Sequence, residues 1–144
     1  MKAHSDTKQL REVYQRLLSH YGPQGWWPLY NKETGRIEYH KGDYSFPKNE
    51  EQSFEISVGA LLTQNTTWKN VEHAIINLHR ANIMTPHAIL TTDTSTLRTL
   101  IKPAGYFNQK TRKLREFAAY SGTLTRDNLL NLWGIGPETA DSIL

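Results

Sequence analysis

No cysteine occurs among the 144 residues. That excludes disulfides and thiolate metal sites within this chain. No apolar run approaches the roughly 20 residues that a membrane-spanning helix needs, so no membrane partner is expected. The first ten residues, Met1 to Leu10, are polar and lack the apolar core of a secretion signal, which makes the cytoplasm the expected location. The six histidines never fall into the H-x-x-x-H spacing of a helix-face metal site, so no metal is expected. Neither a βαβ alternation nor a fixed-period repeat is visible, which excludes a parallel α/β sheet and a solenoid. Charge of one sign is also scarce. The formal net charge is only +3, which permits a polyanionic partner without requiring one. With 38% hydrophobic and 22% charged residues, the chain can build one globular core.

What is present is helical periodicity. Leu10, Val13, Tyr14, Leu17 and Leu18 predict a first helix from about Thr7 to His20, closed by Tyr21-Gly22-Pro23. A loop with Trp26-Trp27-Pro28 follows. Residues 30–48 are polar and read as an insertion, with a possible small β-hairpin near 34–45. Phe54 to Leu62 is apolar almost all round and predicts a central buried helix. Gln64-Asn65-Thr66-Thr67 breaks it, and Thr67 is expected to cap a helix from Trp68 to about Arg80. Short helices follow from Thr85-Pro86 and from Asp93 or Ser95, then one capped by Asn108. The last pair spans 125–144 and is joined by Trp133-Gly134-Ile135-Gly136. The fold class is all-α.

That last pair carries the strongest functional signal. Gly134 and Gly136 allow a tight turn and a close ligand approach, while Ile135 plugs the angle between the helices. Pro137 opens the second helix, whose free amides form a ready phosphate seat. A bare G-x-G by itself points more often to an ordinary helical corner with two structural glycines.

The fuller pattern L-x-x-W-G-I-G-P-E-T-A-D-x-I-L, from Leu130 to Leu144, resembles the helix-hairpin-helix of the HhH-GPD superfamily of base-excision DNA glycosylases. Gly59 to Thr66 is similar to that family's buried helix and polar loop. Ile101 to Thr111 is similar to its G-x-Y/F-N-x-K-A turn. The endonuclease III-fold 3-methyladenine glycosylases are the branch most resembled. The resemblance implies a partial HhH-GPD domain over 1–144, and double-stranded DNA with a damaged base as partner of a monomer in a bacterial-type, nucleoid-associated setting. It implies DNA contacts at Gln64, Asn65, Lys110, Gly134, Ile135, Gly136 and Thr139. Gln64 is the matching residue for a wedge that enters the DNA stack, although it reads equally as a polar helix end. The segment at Tyr120-Ser121 is short for the family.

Glycosylases flip a nucleotide out and cleave its N-glycosidic bond. The resemblance implies that a carboxylate stabilises the positive charge on the sugar. The aspartate that does this in the family would lie beyond Leu144, and Asp141 is too close to the hairpin to replace it. Bifunctional members carry a lysine where this chain has Glu138, and a carboxylate cannot form an imine. The expected activity is therefore monofunctional removal of an alkylated purine, with the 144-residue chain itself inactive. The alternative is a non-catalytic DNA-binding remnant. Trp26 and Trp27 would stack on a flipped cationic base or simply pack, whereas Trp68 and Trp133 are expected to pack. Any [4Fe-4S] cluster would belong beyond Leu144.

Overall fold

The structure, a computed structural model, describes residues 2–22 and 27–144, and the side chains from residue 7 onward. Helix α1 spans Lys2–Tyr21, longer than its apolar period suggested. A two-stranded antiparallel hairpin follows, β1 Leu29–Asn31 and β2 Arg36–Glu38. Then come α2 Glu50–Leu62, α3 Trp68–Arg80, α4 Pro86–Thr91, α5 Thr94–Ile101, a 3-10 turn at Lys102–Ala104, α6 Phe107–Ala119, α7 Arg126–Leu130 and α8 Pro137–Ile143. No described helix is long and apolar enough to cross a membrane.

The core gathers around α2. Val58, Leu61 and Leu62 are fully buried, and Gly59 lets the Trp68 ring approach its backbone. Helix α3 buries Val71, Ala74, Ile75 and Leu78, the expected stripe. Around it Leu97, Ile101, Leu114, Leu129 and Ile135 complete one hydrophobic cluster. Each buried aliphatic side chain contributes roughly 1.5–3 kcal/mol, so this cluster dominates stability.

Several starts depend on side-chain caps. Asn49 accepts from the Gln52 amide, Thr85 from Ala88, Asp93 from Thr96 and Thr125 from Asn128. Thr67 is the N-cap of α3 as expected, through its backbone carbonyl alone: its side chain makes no bond to the helix, and Asn70 Nδ2 donates to Thr66 Oγ1 at 3.2 Å. One expected cap is corrected. Asn108 lies inside α6, which begins at Phe107 after a left-handed Tyr106.

The expected small hairpin is present, with its bounds shifted. Its strands are 29–31 and 36–38, earlier than 34–45, because Asn31 and Gly35 form the turn. Asn31 Oδ1 accepts from the Glu33 and Thr34 amides, and Gly35 takes φ +68°. Nor is the segment merely a surface insertion. Leu29 is buried, and the Tyr30 amide donates to buried Glu55 Oε1 at 2.6 Å. Glu55 Oε2 pairs with His79 Nε2 at 2.7 Å, and the His79 ring stacks on Tyr30 at 4.2 Å. One buried carboxylate thus joins β1, α2 and α3.

The apolar face of α1 is left uncovered. Leu10, Val13, Tyr14, Leu17 and Leu18 are 38% to 71% exposed.

Candidate nucleic-acid interface

Helix α7 ends at Leu130, and the chain reverses over residues 131–136 before α8. Gly134 takes φ +83°, a conformation that costs any residue with a Cβ about 1–2 kcal/mol. The space beside it is filled by the Lys113 stem: a Cβ at Gly134 would stand 2.5–2.9 Å from three of its methylenes. Ile135 points inward into the core, as expected of a plug. Gly136 caps α8 with extended backbone and no side-chain bond, and a Cβ there would meet nothing within 4 Å. The hairpin therefore presents an open backbone at Gly136 and a packed one at Gly134.

Helix α2 meets this turn through Gln64. Its Nε2 donates to Gly134 O at 3.1 Å and to Thr139 Oγ1 at 2.8 Å, while its Oε1 accepts from Lys113 Nζ. Asn65, left-handed at φ +53°, turns the chain sharply away and leaves its own side chain exposed. The polar end of α2, the hairpin and α6 are thus fastened together. In this arrangement Gln64 is a brace. To enter a DNA stack it must release both hairpin acceptors and Lys113.

Lys110 departs from the expected DNA contact. It is 2% exposed, and its Nζ donates to Leu62 O and Ala104 O, both at 2.7 Å. Burial, reinforced by the neighbouring charge of Lys113, lowers its pKa to about 8. Its chemistry is to satisfy carbonyls at the end of α2 and in the 3-10 turn, so a phosphate cannot reach it. Thr139 is likewise buried and committed to Gln64, so of the expected contacts Asn65 and the Gly136 backbone are the ones openly presented.

Trp26 lies outside the described residues. Trp27 is half-buried. Its indole Nε1 donates to Ser142 O at 3.1 Å, and its ring stands 5.7 Å from that of Trp68, tilted by 59°. It clamps the segment before β1 to the end of α8. Trp133 differs from its expected packing role, being 42% exposed under the Arg112 guanidinium at 3.9 Å. Asp141 is held by Arg126 at 2.7 Å, and that partner lowers its pKa. Glu138 is exposed.

Sequence reasoning missed Lys113, Arg112 and the Glu55–His79 pair. Lys113 follows Arg112 three residues after Lys110, but nothing in that spacing says which cation turns inward.

A helical bundle closing on a Gly-Ile-Gly hairpin, braced by a glutamine just past a buried helix, is a helix-hairpin-helix fold. Residues 58–121 match the family model described as HhH-GPD superfamily base excision DNA repair protein. The chain is 35% identical to a Methanocaldococcus jannaschii protein named as a DNA repair glycosylase, over 95% of this chain and 60% of that one. It is 36% identical to the chloroplastic endonuclease III homolog 1 of Arabidopsis thaliana, over 69% of this chain and 28% of that protein. Among solved structures it is similar to the H. pylori 3-methyladenine DNA glycosylase MagIII bound to 1,N6-ethenoadenine. That match has a TM-score of 0.58 and 32% identity, over 63% of this chain and 50% of that one. The chain thus spans about 60% or less of the length of these relatives. The archaeal alignment runs over 153 positions, more than the chain has residues, so that relative carries aligned residues absent here. The 144 residues hold no cysteine and offer no thiolate for an iron–sulfur cluster.

Proposed function

We propose that this chain is the DNA-gripping portion of a base-excision glycosylase acting on double-stranded DNA with a damaged base, as a cytoplasmic monomer. The observation that carries this reading is the open Gly136 backbone at a hairpin braced to α2 by Gln64. Amides at such a turn hold a phosphate and position the protein without reading sequence. The substrate class we assign is an alkylated purine. The 32% identity to a glycosylase captured with an ethenoadenine supports it, as does the aromatic pair that Trp27 forms with Trp68 beside α8.

The activity is monofunctional, because Glu138 stands where lyase members carry an amine nucleophile. In the 144-residue chain the hairpin carboxylates are not poised for chemistry: Glu138 is exposed, and Asp141 is neutralised by Arg126. That observation also favours a second reading, a DNA-binding module without catalysis.

Fluorescence anisotropy with a short duplex, followed by assay of base release from an alkylated duplex, tests both. Binding without base release is expected of this chain. Absence of duplex binding sinks the DNA reading. Base release overturns the inactivity, and borohydride trapping of a covalent adduct on an abasic duplex overturns the monofunctional assignment.

A further inference from the structure

Outside the hairpin, a cleft of about 450 Å³ opens between α4, α5 and α6. Three guanidinium groups line it: Arg98 from α5, and Arg112 and Arg115 from α6. The carboxylate that shares it, Glu116, lies 3.7 Å from Arg112 and is largely solvated, so positive charge is in excess. Three like charges around one concavity repel until an anion neutralises them.

Two buried polar atoms in the cleft lining have no partner. One is Oγ1 of Thr111, a residue only 3% exposed, and the other is Nε of Arg115. Arg115 is fixed at its far end, where one terminal nitrogen donates to Thr92 O at 2.6 Å. Both atoms are closed to solvent in this structure, so an oxygen-rich ligand would satisfy them only through a side-chain shift that uncovers them, and buried polar groups are normally satisfied. Half-exposed Leu90 supplies an apolar wall, and the volume exceeds what a bare phosphate fills. Arg112 reaches from this cleft to the face of Trp133, which makes the cleft and the hairpin neighbours.

We propose that the α4–α5–α6 cleft is a phosphate-ester site. Arg98 and Arg115 grip the phosphate oxygens, Thr111 donates its hydroxyl to one of them, and Leu90 packs against the organic group. The phosphate comes either from a DNA backbone beyond the hairpin or from a free nucleotide. The DNA source rests on the function proposed above, whereas the nucleotide source does not.

Two titrations of the 144-residue chain, its Arg98→Ala and Thr111→Val variants, and Gly134→Ala as a hairpin control decide it. In the first, adenosine monophosphate is added to 15N-labelled protein. In the second, duplex affinity is measured against salt. For a DNA source, Arg98→Ala lowers the salt slope by about one phosphate, roughly 0.9, and weakens binding several-fold, and Thr111→Val weakens binding with little change of slope. For a nucleotide source, the monophosphate shifts the Thr111 and Arg115 amides in wild type and in Gly134→Ala but not in Arg98→Ala, and the duplex slopes stay equal. Unchanged amides together with unchanged slopes overturn the site. If wild type binds no duplex at all, the DNA reading falls while the monophosphate titration still decides the cleft.

Discussion

Gly134 and Gly136 stand two residues apart and make opposite demands. Gly134→Ala should destabilise the chain by about 1–2 kcal/mol, from its left-handed backbone and the Lys113 stem beside it. Gly136→Ala should change stability by under about 1 kcal/mol yet weaken duplex binding, because its added methyl stands where a phosphate would approach. Urea midpoints with parallel anisotropy separate the two, and a stability loss at Gly136 equal to that at Gly134 would contradict the assignment. Gln64→Ala removes three hydrogen bonds between α2, the hairpin and α6, and should cost about 1–3 kcal/mol. If it also acts as a wedge, affinity falls further for lesion duplex than for undamaged duplex; equal losses leave it a brace alone. Lys110 gives a pH signature. Its folded pKa is about 8 and its ordinary value 10.5, so between these the unfolded chain binds more protons. Its contribution to stability should therefore rise from pH 8 to 10.5 and stay flat below. The difference in Tm between wild type and Lys110→Met should move toward wild type over that window.

At the scale of elements, the β-hairpin and α1 contrast. The hairpin is fastened by a single buried carboxylate that serves the Tyr30 amide and His79 together. Glu55→Ala leaves both donors unpaired and should cost about 2–3 kcal/mol, with Glu55→Gln costing less because one acceptor survives. Chemical denaturation of the two variants checks the order. Helix α1, by contrast, buries no described side chain in this chain. Leu10→Gln and Leu17→Gln, at exposed positions on its apolar face, should each change stability by under about 0.5 kcal/mol, as read from urea midpoints. A large drop would show that the face is covered in solution. The helix periods at α2 to α5 were readable because each apolar stripe faces one shared core. The cap at Asn108 was misread because a left-handed Tyr106 sets the start of α6 at Phe107.

For the molecule as a whole, charge is nearly balanced, and its placement decides what it can do. Arg98 on α5 and the Arg112 and Arg115 of α6 share one cleft because α5 packs on α6. By itself the sequence determined the all-α class, the central buried helix and the glycine hairpin, since apolar period and glycine conformation are local properties. It also singled out Gln64 as a candidate DNA contact. Only the tertiary structure decided that Gln64 is tied to the hairpin, that Lys110 turns inward while Lys113 faces the turn, and that Glu55 welds the polar segment to the core. Those outcomes depend on which carbonyls are left unpaired where helices meet, and such vacancies form only once the chain has packed.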